Sequence, residues 1–431
     1  MNRRTRSLIV GSLLLAVLAL VIGLAVRDGT SVDDPRIIFP DANLEAAIRE
    51  AIDRLEGAIY ALDLANLTTL SAGDRGIENL SGLEHCTGLI ELNLDENDIA
   101  DILPLASLTN LTQLRLHANR ISDISPLADL TNLRTIALSN NQVNDVSPLA
   151  GLNSLTHLWL DRNGLRDVSP LADLDNLTML SLSSNRISDI SPLAGLTGLT
   201  QLWLHSNNID DISSLANVTN LTTLNLSSNQ VRDISPLAGI TDLTQLWLHV
   251  NQIVDVSPLA GLADLTQLWL HDNQIGDVSP LADLTTLNTL YLSSNEISDI
   301  SPLTNLANLT SLSLGNNKID DISPLADLTA VTRLWLHDNR ISDISPLAGL
   351  TGLTQLWLHA NRISDVSALA GLTSLTRLYL GDNNISDVSP LTQNEGLGTG
   401  DVVSLWRNPL NSDSINMYVP ELEERGVTVH Y

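Results

Sequence analysis

Apolar and polar positions alternate along this chain in a unit that returns every 22 residues, marked by Asn97, Asn119, Asn141, Asn163, Asn185, Asn207, Asn229, Asn251, Asn273, Asn295, Asn317, Asn339, Asn361 and Asn383. From Leu199 to Asn207, Leu202 and Leu204 alternate with Gln201, Trp203 and His205, the two-residue period of a strand with one buried and one exposed face. The phrase Ile-Ser-Pro-Leu-Ala that follows predicts a short helical turn, with Ser as its cap and Pro at a first helical position. A strand on one side of each coil and a turn on the other predict a horseshoe-shaped solenoid, in which a coil buries its face only against its neighbours. The Asn amide has both donors and acceptors. It is therefore expected to satisfy buried backbone groups where the chain leaves the strand, as a ladder through the stack.

The ends break the period. Asp41 can cap a helix in which Leu44, Ile48, Ile52 and Leu55 share one stripe, and a degenerate coil from Leu70 to Leu83 follows with Arg75 at the Asn position. At the far end Asn408 comes 25 residues after Asn383. Ile415, Val419 and Leu422 then predict a helical cap closed by Gly426, and Val427 to Tyr431 a last strand. Ahead of the caps, Arg3, Arg4 and Arg6 precede an uncharged apolar run from Leu8 to Val26, with Asp28, Asp33 and Asp34 beyond it. The run is long enough to cross a bilayer, and Gly23-Leu24-Ala25 also offers a cleavage site, so a signal-anchor and a cleaved signal peptide both fit, besides a buried core helix. A basic flank stays cytoplasmic. The remainder is thus expected outside the cytoplasm, on a single-pass membrane protein or secreted. The resulting division is a basic end at 1–7, the apolar segment at 8–26, a linker at 27–40, an N-terminal cap at 41–69, repeats at 70–392 and a C-terminal capping repeat at 393–431, with no second folded domain.

Composition narrows the picture. Hydrophobic residues make up 43% and aromatics 3%, so the core must be aliphatic. A formal charge of −28 argues against nucleic acid and anionic lipid surfaces, which need clustered cations; membrane contact is expected through residues 8–26 alone. Cys86 is the one cysteine. It excludes an internal disulfide and a cysteine-based metal or cluster site and reads as a buried core thiol.

The 22-residue unit and the phrase Ile-Ser-Asp-Ile-Ser-Pro-Leu-Ala resemble the bacterial internalin-type leucine-rich repeats, over roughly residues 41 to 431. The resemblance implies an α/β solenoid: a right-handed horseshoe with a parallel concave sheet, short helical turns on the convex side and capped ends. It also implies a role in protein recognition at cell surfaces. No Leu-Pro-x-Thr-Gly sorting signal or immunoglobulin-like segment follows the repeats, which weakens the analogy with host-invasion proteins. A phosphatase-1 regulatory subunit of similar repeats is a second relative, but it is cytosolic or nuclear, which the amino terminus here opposes.

Candidate binding chemistry lies between the core leucines, on side chains that must leave the concave sheet. The central position holds Trp159, Trp203, Trp247, Trp269, Trp335 and Trp357, with Tyr291 and Tyr379. Two residues on lie His117, His205, His249, His271, His337 and His359, and two residues before lie Gln201, Gln245, Gln267 and Gln355. Strands about 4.7 to 4.9 Å apart let such rings touch and give a groove on the order of 65 to 70 Å long. Exposed aromatics among polar groups suit a protein partner. Trp platforms with Gln also suit a glycan, and rings that only stack on one another would leave a passive spacer. His249 with His271, or His337 with His359, permit two nitrogen ligands beside Asp272 or Asp338, or a response to pH, but no metal or other cofactor is assigned. The acidic column Asp101, Asp123, Asp145, Asp167, Asp189 and onward to Asp387 precedes each Ser-Pro turn and is expected to bond backbone amides rather than calcium. No phosphate loop, nucleophile elbow or paired-histidine zinc motif is present, so no enzyme is expected.

Overall fold

The computed structural model describes residues 36–431. The expected apolar segment at 8–26, the basic end at 1–7 and most of the linker lie outside the described residues. Among the described residues no helix is long and apolar enough to cross a membrane.

Seventeen parallel strands of three residues each, from Thr69–Ser71 to Thr428–His430, line the concave side. Neighbours pair in strict register, Leu202 with Leu224 and Leu224 with Leu246. The first strand pairs only with Glu91–Asn93 and the last only with Val402–Ser404, so the sheet is open at both ends. Short 3₁₀ turns such as Ser191–Gly195 and Ser213–Asn217 stack on the opposite, convex side. Between sheet and turns Leu202, Leu204, Ile209, Ile212, Leu215, Val218 and Leu221 are buried, and the next coil repeats the set. At ~1.5–3 kcal/mol for each buried aliphatic side chain, this continuous column stabilises the stack.

The asparagine ladder is present. Asn207 Nδ2 donates to the carbonyl oxygens of Leu182, one coil earlier, and Leu204, each at 3.0 Å, while its Oδ1 accepts from the amide of Ile187 at 3.0 Å. The residue before each ladder position adopts a left-handed conformation, from Asp74 through Ser206 (φ 57°) to Arg407. That bend carries the chain out of the strand and aims the amide inward.

The convex turns correct one expectation. Ser is not the cap: in the turn at Ser191–Gly195 the preceding Ile190 occupies that place with no side-chain bond. Asp189 Oδ1 instead accepts from the Ser191 amide at 2.8 Å, and the same bond recurs at Asp211 and Asp233. Because the helical turn begins at Ser itself, the carboxylate two residues earlier is the group within reach of its amide. The hydrogen bonds from Ser191 hold the Asp189 carboxyl below its ordinary range. The acidic column is therefore bonded to backbone, as expected.

At the N-terminal end Asp41 caps the helix Ala42–Ala51 through the amides of Asn43 and Leu44, and its second oxygen accepts from Glu78 and Asn79 in the first coil. Leu44 and Ile48 are buried, but Leu55 is 74% exposed, because the helix ends before it. Arg75, at the Asn position, pairs with Glu50 of that helix at 2.6 Å. At the other end Asn408 continues the ladder, bonding Leu380 O, Leu405 O and the Ile385 amide. Val419 and Leu422 are buried as expected, whereas Ile415 is exposed. The segment Ser414–Tyr418 forms a π turn. Its five-residue spacing puts Ser414, not Ile415, on the face of Val419, and the Ser414 hydroxyl donates to Ser386 O and accepts from the Val388 amide. Cys86 is buried, and desolvation raises its thiol pKa to about 12, so it is an inert core group.

Candidate functional site: the aromatic concave face

Strand alternation turns Leu246 and Leu248 inward and leaves Gln245, Trp247 and His249 on the concave surface. The same phase holds for Trp159, Trp203, Trp269, Tyr291, Trp335, Trp357 and Tyr379, for His117, His205, His271, His337 and His359, and for Gln201, Gln267 and Gln355. These side chains are half-buried rather than fully exposed, and from Trp247 to Tyr379 neighbouring rings lie on one another.

The column is not uniform. Trp247 and Trp269 stack with centroids 4.6 Å apart, and Trp269 meets Tyr291 edge-on at 6.0 Å. Four repeats after the Trp247–Trp269 pair, Trp335 stacks on Trp357 at 4.7 Å, and Trp357 on Tyr379 at 5.5 Å. Ser313 occupies the coil between the two sets, and Tyr291 reaches across it to Trp335 at 5.8 Å. Seven coils thus carry one unbroken aromatic strip. Trp159 and Trp203 stand apart from it. Between them Ser181 donates to Asp161, which also accepts from Ser139 Oγ and the Ser183 amide.

Histidines form a second row. His249 and His271 stack at 4.2 Å, and His337 and His359 lie parallel at 4.7 Å. Burial holds His249 down at about 4, reinforced by His271 and opposed by Asp272; burial also lowers His205, His271 and His359. These rings are neutral at pH 7. The face is therefore aromatic and uncharged at His205, His249, His271 and His359. A depression of about 480 Å³ opens over Trp247, His249, Trp269, His271, Tyr291, Ser293 and Ser313. A separate one, of about 310 Å³, is lined by Gln113, Arg115, His117, Thr135, Ala137, Ser139 and Trp159.

Several concave residues escape a search for aromatics at a fixed 22-residue period. Arg333 and Arg377 stand in the Gln column, exposed. Arg115 pairs with Asp95 at 2.7 Å. Trp406 occupies the histidine row in the last full coil, with Arg407 over its ring, and its indole leans across Gly381, where any Cβ would collide with it. Counting on by 22 stops at the 25-residue coil, which is why Trp406 falls out of a fixed-period reading.

The fold and the repeat define a leucine-rich-repeat solenoid: the family pattern described as Leucine Rich repeats (2 copies) matches residues 87–129, 131–173, 175–217, 219–261, 245–283, 285–327 and 329–371. An internalin of Listeria monocytogenes, InlF, is 39% identical, with 76% of this chain and 98% of that one covered and a TM-score of 0.74. The chain belongs to the internalin-type bacterial leucine-rich-repeat family. A leucine-rich-repeat protein of Leptospira interrogans shares the fold at 23% identity and a TM-score of 0.78, over 86% of this chain and 97% of that one. So does the ectodomain of a plant membrane receptor kinase of Arabidopsis thaliana, solved in complex with Casparian Strip Integrity Factor 2, at 22% identity and a TM-score of 0.69, over 85% and 50%. No curated protein matches the chain.

Proposed function

We propose that this protein is an extracytoplasmic recognition protein that holds a protein partner against the aromatic strip from Trp247 to Tyr379. The observation that carries this is the continuity of ring contact over seven coils. Mutual stacking fixes the indoles before a partner arrives, so little rotamer entropy is lost on binding, and large preordered aromatics are the groups on which interface energy concentrates. The plant receptor ectodomain of the same fold was solved in complex with Casparian Strip Integrity Factor 2, which agrees with this use of a concave solenoid.

Sugar binding is the weaker reading on this geometry. A sugar ring needs an open indole face, but the planes of Trp247 and Trp269 lie 10° apart, and those of Trp335 and Trp357 14° apart. Their faces cover one another and present edges outward, where a polypeptide can pack and a pyranose cannot stack. Capture with the full chain as bait, run beside the variant Trp247→Ala, Trp269→Ala, Trp335→Ala, Trp357→Ala, tests the proposal. A protein retained by the native bait and lost with the variant is expected. Equal retention by both baits, or retention of glycans alone, overturns it. Location outside the cytoplasm is tested by protease cleavage of the repeats in intact cells.

A further inference from the structure

We infer that His337, Asp338 and His359 form a binding site for a divalent transition-metal ion of the zinc, nickel and copper class. Donor atoms of the three side chains lie within 4.8 Å of one another, the one such group among the described residues. Asp338 Oδ2 is 2.9 Å from His337 Nδ1 and 4.0 Å from His359 Nε2. Metal–nitrogen and metal–oxygen bonds of about 2.0–2.2 Å place ligands around one ion about 3.4 Å apart, so the site closes when the stacked rings turn about their side-chain bonds to aim their in-plane lone pairs at one ion. Two imidazoles and one carboxylate suit these cations and leave coordination positions for water or for a donor from outside the chain.

Three features make this a prepared arrangement. The two histidines lie two residues past adjacent strands held in register by Trp335 opposite Trp357, which brings their ring centroids to 4.7 Å. Asp338 follows the first histidine of the pair, at the left-handed position (φ 53°), which sets its carboxylate between the two coils. Gly315, one coil earlier, leaves the space that the His337 ring fills, since any Cβ there would collide with it.

The protein also contains its own control. His249 and His271 stack as closely, at 4.2 Å, but Val250 stands where Asp338 stands in the other pair, and the carboxylate follows the second histidine as Asp272. That pair lacks a shared carboxylate and does not complete a three-donor group.

This inference is independent of the proposed partner, so either can fail alone. The test is calorimetric titration of the chelator-treated full chain, free of any histidine tag, with Zn²⁺ alone. One saturable equivalent per chain is expected. His359→Gln and Asp338→Asn each weaken binding at least about tenfold, whereas His249→Gln with His271→Gln leaves it unchanged. Gly315→Ala, which displaces the His337 ring, weakens it as well. With Cu²⁺ in place of Zn²⁺, the electron paramagnetic resonance spectrum shows coupling to two imidazole nitrogens, lost in His359→Gln. Thermal unfolding of each variant within a few degrees of the native chain assigns the losses to ligation. Absence of a saturable equivalent, or loss of binding in the His249 and His271 variant instead, overturns the inference.

Discussion

Trp247 and Trp269 stand opposite each other in adjacent strands and stack with centroids 4.6 Å apart and planes 10° from parallel. Strand spacing in a parallel sheet is about 4.7–4.9 Å, so two indoles that rise straight from paired positions meet at contact distance without leaving their rotamers. The sheet itself builds the aromatic strip. A substitution that shifts the register of one coil would open it.

That relationship predicts a measurable coupling. In a double-mutant cycle on Trp247→Ala and Trp269→Ala, followed by urea unfolding, the two losses are expected to be non-additive by about 0.5–1.5 kcal/mol, the range of a stacked aromatic pair. The same cycle on Trp203 and Trp247, separated by the Asn225 coil, is expected to give coupling near zero. Equal coupling in both cycles would mean that the stack contributes nothing beyond each ring's own burial.

The asparagine ladder gives a larger effect from a smaller change. Asn207→Ala leaves the Ile187 amide without a partner and takes one of two donors from each of the Leu182 and Leu204 carbonyls, which keep Asn185 and Asn229; a buried unsatisfied group costs about 1–3 kcal/mol and each further lost hydrogen bond about 0.5–1.5 kcal/mol. A loss of about 3 kcal/mol or more in urea unfolding is expected. Asn207→Asp is expected to cost nearly as much, since a carboxylate accepts from Ile187 but donates to neither carbonyl. A loss below about 1 kcal/mol for both would remove the ladder from the stability of the fold.

What the sequence made legible follows from the repeat. A period of 22 residues fixes which positions alternate, so the inward leucines, the ladder and the outward columns of Trp, His and Gln could all be placed by counting. Counting does not reveal how neighbouring side chains share space. Whether Tyr291 crosses the gap at Ser313, or Asp338 falls between two histidines while Asp272 does not, depends on rotamers set by the next coil. The caps were harder for the same reason: the π turn at Ser414–Tyr418 changes the helical period, and so a stripe read at α-helical spacing selected Ile415.

A local misfit offers a third prediction. Each coil from Asp74 to Arg407 places one residue in the left-handed region, and only Val250, at φ 55°, is β-branched there. A branched Cβ crowds the backbone in that region, at about 1–2 kcal/mol for a non-glycine residue. Val250 is 45% exposed, so its replacement removes little packing. Val250→Asn is expected to stabilise the protein by about 1 kcal/mol, read as a rise in urea midpoint at unchanged slope. No rise would show that the surrounding coils relieve the crowding.

The desolvated pair His249 and His271 predicts how stability changes with acidity. His249 titrates at about 4 in the folded chain, because burial and the neighbouring His271 disfavour its charge more than Asp272 favours it, with His205 adding a small repulsion. His271 shifts in the same direction, again through burial. A histidine in the unfolded chain titrates near 6.5, so the unfolded state takes up protons first as the pH falls. The stabilisation from the neutral rings is therefore complete above pH 6.5, declines between 6.5 and about 4, and is gone below that. One pKa unit corresponds to about 1.4 kcal/mol, and solvent screening of half-exposed rings reduces the effect. The expected loss is about 1–2 kcal/mol over that interval. Capping carboxylates such as Asp189 and Asp211 have folded values lowered from 3.8, so their contribution is lost only at still lower pH and the two intervals separate. Unfolding measured at pH 7, 6, 5 and 4 is expected to show this decline in the native chain and a flatter profile in His249→Gln with His271→Gln. Parallel profiles for the two proteins would place the acid sensitivity elsewhere in the solenoid.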